Sequence, residues 1–215
     1  MLKPGARVLV GVSGGADSMA LLHILQQRCM DNGGVLWAAH LNHSLRSQAG
    51  QDEQLVRDTC RRWDIPCYTK TVDVAAVAAR TKRSLEEAGR DCRYQFFREL
   101  ADELGADHIA TAHHQNDQAE SVLLHLLRGS GIRGLQGMQP VKGKLIRPLL
   151  CVTRQDIERY VQEHQLPFCQ DLTNHDPAFV RNRIRLHLIP YLQEAFNPRI
   201  VEALNRLAAI AQEEN

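Results

Sequence analysis

Six residues, Ser13-Gly14-Gly15-Ala16-Asp17-Ser18, constrain this chain more than any other stretch. Before them runs a short β-branched segment, Val8-Leu9-Val10-Gly11-Val12. After them Leu21, Leu22, Ile24 and Leu25 fall at helical spacing. That order predicts a buried strand, a glycine turn and a helix N-terminus. Glycines let backbone approach an oxyanion, and the free N–H groups and dipole of a helix start attract one. Ser13 and Ser18 add hydroxyls. Asp17 is the odd member: a carboxylate beside phosphate repels it unless a cation lies between, so Asp17 points to Mg²⁺. No Gly-Lys-Ser/Thr is present, which excludes the Walker loop, and Gly11-x-x-Gly14-Gly15 is not the dinucleotide fingerprint.

Strand and helix patterns then alternate. Val35 to Ala39 reads as a second strand ending at His40, and residues 51–63 as a helix. A third strand opens at Pro66-Cys67-Tyr68-Thr69. A helix carrying Leu85, Phe96, Phe97 and Leu100 follows, closed by Gly105. His108 to Ala112 is a fourth strand and Asp117 to Leu127 another helix. Such alternation predicts an α/β fold, a Rossmann-like doubly wound parallel sheet. Ligands then bind beyond the carboxyl ends of the strands, which sets Ser13, His40 and His113 along one rim. Past Arg128 four glycines predict a loop. Residues 144–150 read as a strand or extended edge. Thr153 caps a helix to His164, and a helical pattern resumes near Phe179 and stops at Pro190. A last helix, from Ile200 to Gln212, forms a C-terminal extension. The expected division is a catalytic domain over 1–190 and the start of a helical linker over 191–215.

Three constellations carry chemistry. His113 lies just before a helix on which Asp117 and Glu120, three apart, share a face. An imidazole and two carboxylates at the phosphate rim suit a Mg²⁺ ligand, a general base for an amine, or a clamp for its charge. Arg90 and Arg93, at i and i+3, form a two-pronged phosphate clamp unless Glu86 or Glu87 pairs with Arg90. His40 and His43 stand where a doubly wound sheet brings adenine or phosphate. Finally, no Asp or Glu occurs from Ser121 to Gln155, while Arg128, Arg133, Lys142, Lys144, Arg147 and Arg154 do; Arg181, Arg183 and Arg185 follow. The whole-chain charge is only +1, so a polyanion partner rests on this local clustering.

No apolar run approaches the roughly 18–20 residues of a membrane span. Six scattered cysteines without Cys-x-x-Cys read as reduced thiols of a cytoplasmic protein.

Residues 13–18 resemble the SGGxDS loop of the PP-loop ATP-pyrophosphatase superfamily. AHLNHSLR at 39–46, SLEEAGRDCRY at 84–94, TAHHQNDQAES at 111–121, LLRGSGIRGLQGM at 126–138 and NRIRLHLIPYL at 182–192 are similar, in order, to the blocks of the bacterial tRNA(Ile)-lysidine synthetase family. The resemblance implies that ATP adenylates the carbonyl oxygen at carbon 2 of the wobble cytidine in an isoleucine tRNA with a CAU anticodon, and that free L-lysine then attacks that carbon and displaces AMP. It implies that Ser13, Gly14, Gly15, Ala16, Asp17 and Ser18 hold pyrophosphate and that Asp17 and Asp117 hold Mg²⁺. His113 and Arg93, with Arg90 the alternative, would stabilise the α-phosphate, and Glu120 would receive lysine's ammonium. Arg128, Arg133, Lys142, Lys144, Arg181, Arg183 and Arg185 would take tRNA. Asn116, Ser121 and Ser44 depart from the family's usual Asp, Thr and Gly. Family members usually continue into further C-terminal domains. A PP-loop tRNA thiolase and a non-catalytic nucleotide-binding protein are the competing readings. A homodimer is admitted but no residue specifies one.

Overall fold

The computed structural model describes residues 1–44, 49–169 and 180–214. A six-stranded sheet forms its centre: β1 (Arg7–Gly11), β2 (Val35–Asn42), β3 (Cys67–Thr71), β4 (His108–Ala110), β5 (Val141–Lys142) and β6 (Leu145–Ile146). The order is β3-β2-β1-β4-β6-β5, and only β5 is antiparallel to its neighbour. Leu9 of β1 stands level with Trp37 of β2 on one side and Ile109 of β4 on the other. The chain therefore builds outward from β1 through β2 to β3, then crosses back to β4. The switch point lies between β1 and β4, where such sheets open a ligand crevice at their carboxyl ends.

Successive residues of β1 serve opposite faces. Val8 and Val10 pack with Met19 and Leu22 of α1 (Ala16–Asp31), Val56 of α2 (Ala49–Arg62), and Ile157 and Val161 of α7 (Arg154–Glu163). Leu9 packs with Phe96, Phe97 and Leu100 of α4 (Leu85–Glu103) on the other face, the helix that follows the short α3 (Val74–Thr81). Gly11 is required where α4 crosses, because a Cβ there would lie 2.4 Å from the Phe97 ring. A further cluster joins Ala119, Val122 and Leu123 of α5 (Gln115–Leu127) to Val201, Leu204 and Ala208 of α10 (Ile200–Glu213).

The caps follow from the sequence. Ser84 and Glu87 form a reciprocal capping box at the start of α4, so Glu87 serves the helix end rather than Arg90. Thr153 does the same with Asp156 for α7. Gly105 ends α4 with φ +64°.

Three local expectations change. Residues 144–150 give only the two-residue β6, because Leu150 N–H turns back to the Arg147 carbonyl and Pro148 has no N–H for a ladder. The glycine loop contains a short helix, α6 (Ile132–Leu135). The helical run does not stop at Pro190: α8 (Val180–Arg183) passes through a π-helical turn, Ile184–Leu188, into α9 (Ile189–Ala195). Pro190 falls in the first turn of α9, where its missing N–H is tolerated. The wider turn is closed by Ile189 N–H donating to the Ile184 carbonyl.

Candidate active site

The loop after β1 meets α1 as the sequence predicts. Gly14 has φ +92°, a conformation that L side chains avoid. A Cβ there would meet nothing closer than 3.5 Å, so backbone conformation and not crowding demands glycine. Gly15 is the N-cap, in extended conformation, and Ala16, Asp17 and Ser18 form the first turn. The two hydroxyls serve the loop itself. Ser18 Oγ donates to the Gly15 carbonyl at 2.9 Å and accepts from Ser13 N–H at 3.1 Å. Ser13 Oγ accepts from Gly15 N–H at 3.3 Å. The loop is thereby rigid before any anion arrives.

Across the switch point, the segment after β4 brings His114 to the N-cap of α5. Its Nε2 lies 3.4 Å from Asp117 Oδ2 and 3.8 Å from Asp17 Oδ2. The imidazole is 3% exposed and tethers the two carboxylates that the sequence assigned to a cation. Asp117 Oδ2 also accepts from His114 N–H at 3.0 Å. Burial alone would raise the Asp117 carboxyl, but His114, Arg181 and His113 outweigh it and hold the group below its ordinary range. Asp17 shifts the other way: burial lifts its carboxyl above the usual value against the pull of His114 and Arg154. Asp17 Oδ2 is 3.2 Å from Arg154 Nη1. Its other oxygen, Oδ1, is buried without a hydrogen-bond partner.

That orphaned oxygen is the test of a cation site. A hard divalent ion takes one or two carboxylates and completes its shell with water and substrate phosphate oxygens. Asp17 at the edge of an anion loop fits this pattern with its open oxygen, whereas Asp117 would have to exchange its arginine contacts for the ion. Among the described residues no three His, Cys, Asp or Glu side chains gather as a metal site, so phosphate oxygens would supply the remaining ligands.

Glu120 and the arginines of α8 depart from expectation. Glu120 is 1% exposed. Arg181 Nε lies 2.8 Å from its Oε2 and Arg185 Nε 2.5 Å from its Oε1. Both guanidinium groups also reach Asp117 Oδ1 at 3.3 Å. Glu120 is thus occupied by two cations rather than open to an incoming ammonium. Arg181 and Arg185, four apart, face inward to the carboxylates rather than outward to a polyanion. Arg183, between them, is exposed.

His113 sits beside His114 but points elsewhere. Its Nδ1 is 3.0 Å from Thr111 Oγ1. Burial, then Arg147, Arg181 and Arg90, push its pKa down to about 3 against Asp117, so it acts as a neutral imidazole. Arg90 lies over the Tyr94 ring, 4.9 Å from its centroid, and Arg93 is exposed on the same helix. His40 is 4% exposed and its Nδ1 is 2.9 Å from the Val12 carbonyl. It braces the backbone entering the phosphate loop. Burial lowers its pKa despite that bond.

Of the remaining basic candidates, Arg128, Arg133 and Lys142 are exposed. Lys144 is also exposed, but its Nζ lies 2.8 Å from Asp102 Oδ1. Arg128 and Arg133 flank a firmly bonded turn. Gly129 N–H donates to the Leu126 carbonyl, Ser130 N–H to the His125 carbonyl, and His125 Nδ1 holds the Gly134 carbonyl at 2.8 Å.

Two residues of the site were not assigned to it from the sequence: His114, and Arg154, which was counted only in the basic cluster. The signal for His114 is its place as N-cap three residues before Asp117, since an extended stretch aims neighbours to opposite sides. Arg154 gives no local signal: Asp17, its partner, is 137 residues away.

Comparison with known proteins finds relatives over nearly the whole chain. A tRNA(Ile)-lysidine synthase of Geobacter sulfurreducens is 46% identical over 216 residues, covering 98% of this chain and 45% of that protein. One from Clostridium perfringens is 45% identical over 210 residues, covering 97% of this chain and 45% of that protein. The chain spans less than half the length of these curated relatives. A U34-tRNA thiolase from Methanococcus maripaludis, solved with its iron–sulfur cluster, superposes with TM-score 0.77 at 17% identity, covering 97% of this chain and 74% of that one; this likeness concerns the fold. Residues 2–192 match the PP-loop domain. The chain belongs to the PP-loop domain family.

Proposed function

We propose that this chain is the catalytic part of an enzyme that joins lysine to carbon 2 of the wobble cytidine of isoleucine tRNA with a CAU anticodon. The observation that carries the reading is Asp17. It stands on the first turn of the anion loop with one buried oxygen unpartnered and, through His114, beside Asp117. The relatives named above, tRNA(Ile)-lysidine synthases similar over nearly the whole chain, supply the substrates.

In this reading the loop from Ser13 to Ser18 holds the β- and γ-phosphates of ATP on backbone N–H groups. A Mg²⁺ ion held by Asp17 and Asp117 would neutralise charge on the leaving pyrophosphate. The cytidine carbonyl oxygen attacks the α-phosphorus and pyrophosphate departs. Lysine's amine then attacks carbon 2, and AMP leaves with that oxygen. Arg93 and Arg90, with His113 as a neutral N–H donor, stabilise charge developing on the α-phosphate. The attacking amine loses its proton to solvent, because Glu120 is already held by Arg181 and Arg185. Arg128, Arg133 and Lys142 bind the tRNA backbone. A tRNA substrate suits a cytoplasmic enzyme. No helix among the described residues is long and apolar enough to cross a membrane.

The test is radiolabelled lysine incorporation into unmodified isoleucine tRNA with ATP and Mg²⁺. Labelled tRNA supports the reading. AMP formation that ignores lysine but needs another acceptor overturns it.

A further inference from the structure

We propose that Arg154 is a nucleotide-responsive cation: it neutralises Asp17 in the empty site and passes to the β- and γ-phosphates when a metal–nucleotide complex arrives. The proposal rests on the loop being a nucleotide site but needs neither lysine nor tRNA.

Three observations converge. First, Arg154 Nη1 lies 3.2 Å from Asp17 Oδ2, and Asp17 stands in the turn whose free N–H groups form the anion site. Its guanidinium is therefore one side-chain swing from any phosphate held there. Second, its pivot is fixed while its head lies at the surface on exchangeable ion pairs. Arg154 N–H donates to Asn116 Oδ1 at 3.2 Å. The preceding loop is pinned to α5 by Gln115 N–H on the Val152 carbonyl and Gln115 Nε2 on the Cys151 carbonyl, at 3.0 and 3.1 Å. The side chain itself is 42% exposed, with Nε resting 2.8 Å from Glu158 Oε1. Third, Asp17 is only half satisfied, because Oδ1 has no partner. A carboxylate with one oxygen on an exchangeable arginine and one vacant is arranged to trade its counter-ion.

Electrostatics fixes the direction of the trade. A divalent ion approaching Asp17 is repelled by a guanidinium already there, so Arg154 weakens metal binding to the empty site. Once phosphates are present the planar fork finds a better partner, since charge-assisted bidentate contacts to phosphate are among the strongest hydrogen bonds. Arg154 then strengthens nucleotide binding. The two effects have opposite signs, which a bracing role would not produce. Asn116 gains a purpose as well: its side chain sets the pivot.

The experiment uses this chain with Arg154→Gln and Arg154→Lys. The backbone anchor to Asn116 does not depend on the side chain, and thermal unfolding checks that the fold is kept. Mn²⁺ alone is titrated by electron paramagnetic resonance, and α,β-methylene-ATP with saturating Mg²⁺ by calorimetry. Arg154→Gln is expected to bind Mn²⁺ about threefold to tenfold more tightly and the nucleotide analogue about tenfold more weakly. Arg154→Lys keeps the charge but loses the fork, so Mn²⁺ affinity stays near the wild-type value while the analogue weakens. Either affinity unchanged in Arg154→Gln, or both moving in the same direction, overturns the proposal. A wild-type chain that does not take up the analogue overturns it together with the nucleotide reading. Opposite shifts in a chain that never transfers lysine would support it and leave only the substrate assignment refuted.

Discussion

Arg181 Nε reaches Glu120 Oε2 across 2.8 Å although 61 residues separate them in the chain. With Arg185 on the other oxygen, the most buried acid of the site is neutralised by two cations from one helix face. The charge balance at the crevice is thus set by two segments distant in sequence, α5 and the α8–π stretch.

Glu120→Gln leaves two guanidinium groups facing a neutral amide in a site where the acid was 1% exposed. Breaking one partner out of a buried ionic cluster costs about 3–5 kcal/mol. Chemical unfolding is expected to lose that much, with no change in the denaturant slope. A loss under 1 kcal/mol would mean that the arginines relax outward.

His113 gives a pH signature. Its pKa is pushed down to about 3, below the ordinary value near 6.5. The folded state therefore binds the proton less readily than the unfolded chain. The stability it protects is present above about pH 6.5 and is lost as pH falls toward 3. From pH 7 to pH 5 the loss is about 2 kcal/mol. His113→Asn should flatten that part of the pH–stability curve; an unchanged slope refutes the assignment.

Gly14 tests the loop's backbone. At φ +92° with open space around a Cβ, conformation alone decides. Gly14→Asn should cost less than Gly14→Val, with the penalty for valine about 1–3 kcal/mol. Binding of α,β-methylene-ATP should fall in the same order. Equal effects would mean that the turn yields easily.

Arg128→Gln with Arg133→Gln is expected to reduce the salt slope of tRNA binding by about two, one for each phosphate contact removed. Lys144→Gln should change it less, because Asp102 already engages that ammonium. A slope that does not move would return the turn to ordinary surface.

Much of the fold was legible because its signals are local. The apolar run of β1, the glycine turn and the spacing in α1 need only neighbours in sequence, and the Thr153 cap is a short local pattern. The rim that joins Ser13 to His113 follows from topology rules. The failures are tertiary or conformational. Pro190 reads as a stop unless a π-helical turn precedes it. The inward turn of Arg181 and Arg185 depends on acids 60 or more residues away, and an arginine row in sequence looks the same whether it faces water or carboxylates. Arg154 was visible as one more positive charge, not as the partner of Asp17.

The most direct measurement of the central claim follows the product. Isoleucine tRNA with a CAU anticodon would be incubated with ATP, Mg²⁺ and lysine and either this chain or a version extended to the relatives' length, then digested to nucleosides and weighed. Wild type is expected to form a cytidine heavier by one lysine less one water, and Asp17→Asn to form none. Unmodified cytidine from both lengths of chain, or product formed equally well by Asp17→Asn, would contradict that claim.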